Sequence, residues 1–574
     1  MQRASKALLM MLREYEVKHV FGLCGETTLD LYRDWYDFPH VDHIAARDER
    51  STVFMADAYA RTSFKPGICE GPSVGSTHMI PGVVEAYKAS VPMVVMTTDV
   101  PLYSERRNML TGFDQTALFR GITKETLTVY KGSEIPFTIR RAFRLATTGR
   151  PGPVHIRIPS DAFDQEVDEK EIYAQKDFAR YPGHRTTADI ERIGEAIELL
   201  GASERPVMVC GQGVLFSGAW NEIAELAEFF GIVVGTSMTG KGSIAETHPL
   251  SIGVVGARGG TSFSNKAIED SDLLFYIGCN TDSALTDNWQ LPLMDADRKI
   301  IHLDISEAEV GNNYRSNVIL VGDAKATLRM MIRMAVEKVR RRKYDEVPRI
   351  QRILHEAKEY HNYIEELMNS NERPIHPLRF VKELSRVIPE DHVIISDPGV
   401  SAIYTSAFYK VKKAGRSVLF NYSLGALGYA VPASVGVHCA RPDSCVVALT
   451  GDGSYGFVVG ELETIDRIGG NIKIILFNNS SYGWIRASVR FSSGSTKYFA
   501  TQFNNVDYVR IAEGFGLEAY SIERPDELGT YLKKTFQSRD PTFVEIKVKP
   551  EDELAPPVPS WAKKAVELGV EHIY

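Results

Sequence analysis

The feature that most constrains the fold lies between residues 445 and 479. Residues 445–450 and 472–477 are apolar runs with the length of buried strands, and residues 460–468 between them place their apolar residues at helical spacing. Strand, helix and strand in this order read as a β-α-β unit, which demands a parallel sheet. The first run leads into Gly451-Asp452-Gly453 and the second into Asn478-Asn479. Asp452 and Asn479 then stand at the carboxyl ends of parallel strands, where open α/β sheets bind ligands. Both offer hard oxygen atoms of the kind Mg²⁺ takes together with phosphate oxygens. Gly451 and Gly453 would let backbone amides approach a diphosphate at a helix start. Alone, Gly-Asp-Gly is also what a tight loop needs, and Asn-Asn is also a turn. The spacing of the two, each behind its own strand, favours the ligand-binding reading.

The remaining composition is permissive. A chain of 574 residues accommodates three or four domains, and its apolar (44%) and charged (24%) fractions suit a soluble globular protein. The net charge of −8 lacks the basic signature of a nucleic-acid partner. No apolar stretch approaches membrane-spanning length, so no membrane partner is expected. The first residues lead into an amphipathic pattern (Leu8, Leu9, Leu12, Val17) and not into a secretory core. The six cysteines form no Cys-x-x-Cys and read as reduced residues of a cytoplasmic protein.

Along the chain, strand-length apolar runs alternate with helical stretches in three blocks, so the expected class is α/β, with three doubly wound parallel-sheet domains. The first spans residues 1–170 and closes on the strand 153–159. The central one spans 186–335, with strands at 206–210, 273–277 and 299–303. The third spans 371–550, and 551–574 form a tail that would serve as a lid. The charged segment 166–185 reads as a linker. Residues 336–370 read as a polar helical stretch whose Arg340-Arg341-Arg342-Lys343 run is a solvated face.

The Gly-Asp-Gly and Asn-Asn pair resembles the fingerprint of thiamine diphosphate (ThDP) enzymes. The resemblance implies a Mg²⁺ ion held by Asp452, Asn479 and the main-chain carbonyl of Ser481. A second part lies in residues 47–61, where Glu49 precedes Met55-Ala56-Asp57-Ala58-Tyr59-Ala60-Arg61, similar to the family's Met-Ala-Asp-Gly-Tyr-Ala-Arg. In that family a carboxyl group hydrogen-bonded to N1′ of the cofactor's pyrimidine favours the imino tautomer that deprotonates C2, and it works best in an apolar setting. By residue type alone, Glu49 is also a helix N-terminal carboxylate stabilised by the helix dipole. The chain resembles, over nearly its whole length, the acetolactate synthase, pyruvate oxidase and benzoylformate decarboxylase group. Residues 423–432 are similar to that group's Gly-Leu-Gly-x-Met-Gly-x-x-Leu-Pro. This implies that Leu427 wedges the cofactor into its bent shape and that Gly425 offers a carbonyl to the 4′-amine. By position, Val400, Ser401, Gly451, Gly453, Ser454, Tyr482 and Gly483 would bind the diphosphate.

Substrate-side residues follow by position too. Gln115 matches a glutamine that faces the cofactor, and His78 stands near an asparagine of the family's Gly-Pro-Gly-x-x-Asn. Glu26 lies in a loop where Gly or Ser is common; it reads equally as a proton donor and as a surface or capping residue. Trp484 reads equally as a substrate-cavity wall and as a packed aromatic. Residues 253–261 resemble a flavin-contacting stretch of acetolactate synthases. However, Cys279-Asn280-Thr281-Asp282-Ser283 replaces their Arg-Phe-Asp-Asp-Arg, which argues against FAD; Arg258 then binds another nucleotide or caps a loop. The resemblance implies an enzyme that decarboxylates a 2-oxo acid and forms a carbon–carbon bond to a second carbonyl. The alternatives are simple decarboxylation to an aldehyde and a non-catalytic nucleotide-binding regulator. It also implies a homodimer or homotetramer with the cofactor shared between subunits.

Overall fold

The computed structural model describes residues 1–293, 297–554, 556–570 and 574. Three six-stranded sheets dominate it. In spatial order, the first consists of Asp42–Ala45, His19–Gly22, Gly67–Gly71, Met93–Asp99, Pro153–Pro159 and Thr126–Thr128, all parallel. The second consists of Ser251–Val254, Val233–Thr236, Pro206–Cys210, Leu273–Ile277, Lys299–Asp304 and Val318–Val321, again all parallel. The third runs Val418–Phe420, His392–Ser396, Cys445–Gly451, Ile472–Asn478, Thr542–Lys547 and Glu518–Ile522. The apolar runs at 445 and 472 are thus central strands, buried along almost their whole length, as parallel strands covered on both faces must be. No helix among the described residues is long and apolar enough to cross a membrane.

The chain groups into two compact units. One comprises Met1–His184, Ser423–Ala448 and Gly456–Ile472; the other comprises Arg185–Tyr422, Leu449–Tyr455 and Lys473–Tyr574.

In the first unit, helices Ala4–Glu14 and Ile135–Thr147 bury their apolar stripes against one face of the first sheet. The helix Glu49–Ser63 is buried on nearly every side. Asp48 caps it by accepting the Arg50 amide at 2.8 Å. The helix Ala430–Ala440 lies directly on it, and a Cβ at Gly436 would collide with the Met55 carbonyl. Polar groups on so buried a helix need partners. Arg61 donates to Asp57 at 2.6 Å, one turn away, and the Tyr429 hydroxyl donates to the same carboxylate at 2.5 Å. The segment 166–185 is not a free linker: Glu166–Val167 pairs antiparallel with Gln2–Arg3.

In the second unit, one large apolar core surrounds the second sheet. The stretch 336–370 is not one helix. Ala324–Lys338 ends, residues 339–347 cross irregularly, and Pro348–Met368 begins anew. Pro348 stands in the first turn of the new helix, where its missing N–H costs nothing. Within the crossing, Arg342 donates to the carbonyls of Gly201 and Ser203 and so ties the connector down. At the carboxyl end, the helix Pro559–Glu567 packs Trp561 against Trp484 and Phe491.

Candidate active site

The candidate residues form two constellations, one in each unit. In the first unit Glu49 opens its helix and is only 7% exposed. A Cβ at Gly75 would collide with its carboxyl group, so glycine there is what admits the acid. Its Oε2 lies 3.1 Å from Nδ1 of the more exposed His78. Asp48, Glu49 and His78 bring one ligand atom each within 4.8 Å of one another. Gln115 is fully buried. Its amide donates to the Ser73 hydroxyl and the Thr98 carbonyl, both at 3.1 Å, and accepts from the Thr97 hydroxyl. Glu26 is exposed at the start of a short 3₁₀ turn, Glu26–Thr28.

Gly425 and Leu427 belong to the same unit, on the loop before helix Ala430–Ala440. Gly425 has a positive φ of 82°, a conformation that suits glycine. The fully buried Glu85 anchors this loop. Its carboxylate accepts the backbone amides of Leu424 at 2.8 Å, Gly425 at 3.2 Å and Ser423 at 3.3 Å. Arg61 lies 3.5 Å away as counter-charge. Burial raises the Glu85 carboxyl above its ordinary range, against the pull of Arg61.

The second constellation sits where the strands Cys445–Gly451 and Ile472–Asn478 end. Asp452 is 4% exposed; its Oδ1 accepts the Gly453 amide at 2.9 Å, and its Oδ2 is buried without a hydrogen-bond partner. Burial pushes this carboxyl up to about 6, against neighbouring amides. An orphaned buried carboxylate oxygen is costly and suits a cation. Asn479 Oδ1 accepts the Ser481 amide at 3.1 Å and its hydroxyl at 3.0 Å, and Asn479 Nδ2 donates to Glu551 at 2.6 Å. The amide orientation is therefore set on both sides. Glu551 is 3% exposed, its carboxyl raised to about 7 by burial and by the nearby Asp452 charge. One buried carboxylate with an unpartnered oxygen and one amide oxygen are donors of the kind Mg²⁺ takes when phosphate oxygens complete its shell.

Val400 and Ser401 begin the helix Val400–Phe408, after Gly399 at φ 124°. The Ser401 hydroxyl accepts from Ser396 at 3.0 Å. Open space faces the Cβ position of Gly451, whereas a Cβ at Gly453 would press on the Tyr482 ring and one at Gly483 would collide with Glu551. Ser454 is buried. Trp484 lies 4.9 Å from the Trp561 ring, and the Arg258 guanidinium lies over it at 5.0 Å.

Comparison with known proteins matches three successive domains of one family. They are the thiamine pyrophosphate enzyme N-terminal TPP binding domain at residues 2–118, the central domain at 193–331 and the C-terminal TPP binding domain at 397–546. A probable acetolactate synthase large subunit of Methanocaldococcus jannaschii is 35% identical over 97% of this chain and 93% of its own length. The chain belongs to the thiamine pyrophosphate enzyme family. A probable acetolactate synthase large subunit of Methanococcus aeolicus is 32% identical over 97% of this chain and 94% of its own length. The acetolactate synthase large subunit of Lactococcus lactis is 28% identical over 99% and 96%.

Two carboxylates that touch candidate residues escape a sequence reading of this thiamine pyrophosphate enzyme. Glu551 sits in Pro550-Glu551-Asp552-Glu553, which reads as a solvated acidic turn. Glu85 did carry a signal, a single acid between Val84 and Ala86 on an otherwise apolar helix face.

Proposed function

We propose that the protein is a ThDP- and Mg²⁺-dependent carboligase that decarboxylates a 2-oxo acid and joins the remaining fragment to a second carbonyl, a reading supported by its similarity to proteins named acetolactate synthase large subunit. The observation that carries the metal-dependent reading is Asp452 Oδ2, buried and unpartnered beside an Asn479 amide whose oxygen and nitrogen are already sorted by their partners. When bound, ThDP supplies a carbanion at C2 able to add to a carbonyl. Asp452, Asn479 and the Ser481 carbonyl would hold the metal, and the amides of Gly453, Ser454 and Val400 and the Ser401 hydroxyl would meet the diphosphate. Glu49, shielded from water, would share a proton with N1′ of the pyrimidine. His78, hydrogen-bonded to Glu49, would relay or hold a proton near the reacting carbonyl. Glu85 would keep the Gly425 carbonyl and the Leu427 side chain in place through the loop backbone.

FAD has no part in this reading. Asp282, in the segment where the family's Arg-Phe-Asp-Asp-Arg is replaced, caps the short helix Ser283–Thr286 by accepting the amides of Ala284 and Leu285. The proposed setting is cytoplasmic. The proposed assembly is a homodimer or a dimer of dimers in which one cofactor engages Glu49 of one subunit and Asp452 of another.

Calorimetric titration with ThDP, with and without Mg²⁺, tests the cofactor. CO₂ release over a panel of 2-oxo acids, with product analysis, tests the chemistry. A 2-hydroxy-3-oxo acid as main product supports carboligation; an aldehyde would replace it with simple decarboxylation. ThDP affinity indifferent to chelator would overturn the metal assignment.

A further inference from the structure

A cavity of about 110 Å³ lies between the connector helix Pro348–Met368 and Ser251–Val254, the edge strand of the second sheet. Ile252, Val254, Ile364 and Phe408 line it and are each at most 8% exposed, so its floor is apolar. Tyr360 lines it too, its ring stacked on Phe263 at 6.0 Å. The Tyr360 hydroxyl is buried and has no hydrogen-bond partner. The neighbouring Thr261 hydroxyl donates to Ser264 at 3.1 Å instead. An unpaired buried donor costs free energy that a bound acceptor would recover.

Lys410 and His361 line the same cavity from exposed positions, which puts an ammonium and an imidazole at its mouth. Neither side chain has a hydrogen bond or ion pair among the described residues. Burial holds the Lys410 ammonium below its ordinary range against the pull of Glu246, and the Lys241 charge adds to the effect. Burial and the Lys410 charge act the same way on His361. The nearby carboxylates are engaged elsewhere. Glu246 accepts Lys241 Nζ at 2.5 and 2.6 Å and the Val411 amide at 2.7 Å, and Glu365 pairs with Lys382. An anion at the mouth therefore meets positive charge that no side chain neutralises. The apolar floor beneath selects against a bare inorganic ion.

We propose that this cavity is a second small-molecule site, separate from the cofactor site, and that it takes a short aliphatic monocarboxylate. The carboxylate would face Lys410 and His361, with the Tyr360 hydroxyl as a further donor, and the tail would lie on the apolar floor. The inference does not rest on the carboligase reading. A ligand seated there touches the connector helix, the sheet edge and the end of helix Val400–Phe408 at once, and so holds the three together. Val400 and Ser401, the diphosphate candidates, begin that same helix, about 12 Å from its far end at the usual helical rise.

The test uses the full-length protein saturated with ThDP and Mg²⁺, so that the cofactor site is filled. The probe is 3-methylbutanoate, which has no 2-oxo group and cannot enter the proposed reaction. It is titrated by calorimetry beside acetate, inorganic phosphate and 3-methylbutan-1-ol. It should bind at least about tenfold more tightly than acetate, each buried methylene adding about fourfold, and more tightly than phosphate or the alcohol. Lys410→Gln should weaken it about ten- to a hundredfold, the range expected for losing a charge-assisted hydrogen bond. Ala357→Leu, which fills the cavity from the connector helix, should abolish it. Both variants should keep the parental ThDP affinity. Amide hydrogen exchange across residues 353–368 should slow when 3-methylbutanoate is added to the parent and stay unchanged in Ala357→Leu. A parent that does not bind 3-methylbutanoate, or that binds acetate, phosphate or the alcohol as tightly, would overturn the proposal. So would an affinity unchanged in either variant, which would place the probe elsewhere on the protein, or an exchange pattern in the parent that the probe does not alter.

Discussion

Single side chains carry the most direct predictions. Glu49→Gln keeps the size of the buried group and its neighbour His78 but cannot share a proton with a ring nitrogen in the same way. ThDP affinity should stay within a few-fold while turnover falls about 10²–10⁴-fold, the usual cost of losing general acid–base assistance. Near-parental turnover would remove Glu49 from its assigned role. Glu551 acts at one remove, through the 2.6 Å bond that fixes the Asn479 amide. Outer-sphere groups that orient a metal ligand are worth about 10–100-fold in metal affinity. Glu551→Ala should therefore weaken Mn²⁺ binding, read by electron paramagnetic resonance, by that factor. Glu551→Gln, which keeps an acceptor oxygen, should recover much of it. Equal Mn²⁺ affinity in all three proteins would show that Asn479 orients itself. The position of Asp452 and Asn479 at strand ends was legible in the sequence because each directly follows an apolar strand. Glu551 was not, because its burial is set by contact with Asn479 and Val400, 72 and 151 residues away in the chain, and no local pattern records that.

Whole elements respond to different substitutions. Glu85→Ala would strip the Ser423–Gly425 amides of their acceptor and leave Arg61 with Asp57 as its remaining carboxylate in that network. Breaking a buried, hydrogen-bonded charge pair costs on the order of 3–5 kcal/mol. Urea unfolding should show the loss, and Glu85→Gln, still able to accept an amide, should lose less. A change below about 0.5 kcal/mol, the range of ordinary surface substitutions, would mean the loop holds itself. The strand Pro153–Pro159 carries a second test at His155. This imidazole is stacked on Phe119, and its Nε2 lies 2.7 Å from the Thr97 hydroxyl that bonds Gln115. Burial, aided by the Arg157 charge, holds its pKa down to about 3. The unfolded chain takes up this proton near pH 6.5 and the native protein does not, so the stabilisation is complete above about 6.5 and is lost as pH falls toward 3. Between pH 7 and 5 the parent should lose about 2 kcal/mol that His155→Gln does not; parallel pH dependence in the two would refute the burial argument. At this scale the sequence was most readable where strands are apolar and buried on both faces, as at 153–159, 206–210 and 472–478. It misread 336–370 because polar helical composition persists across residues 339–347, where the chain leaves the helix and Arg342 reaches for the Gly201 and Ser203 carbonyls.

At the scale of the molecule, Glu49 belongs to one compact unit of the chain and Asp452 and Asn479 to the other. In the proposed function one ThDP meets a carboxyl group at its pyrimidine and a metal at its diphosphate. If each cofactor draws these from different subunits, the defects of Glu49→Gln and Asp452→Ala lie on opposite sides of a shared site. Each variant alone is inactive at every site. In a mixed dimer the two lesions fall together at one site, and the other receives intact Glu49 from one chain and intact Asp452 from its partner. Random pairing makes half of the dimers mixed, and each mixed dimer regains one site of two, so subunit exchange should recover roughly a quarter of parental activity. The measurement is CO₂ release after the two purified variants are mixed under conditions where exchange is verified by differently tagged chains. Asp452→Ala must also lose Mg²⁺-dependent ThDP retention while its circular dichroism stays that of the folded parent; otherwise a folding defect would explain its inactivity. Recovery near a quarter would establish the shared site. No recovery despite proven exchange would mean that each site is built within one chain or that the two sites of a dimer need each other to work.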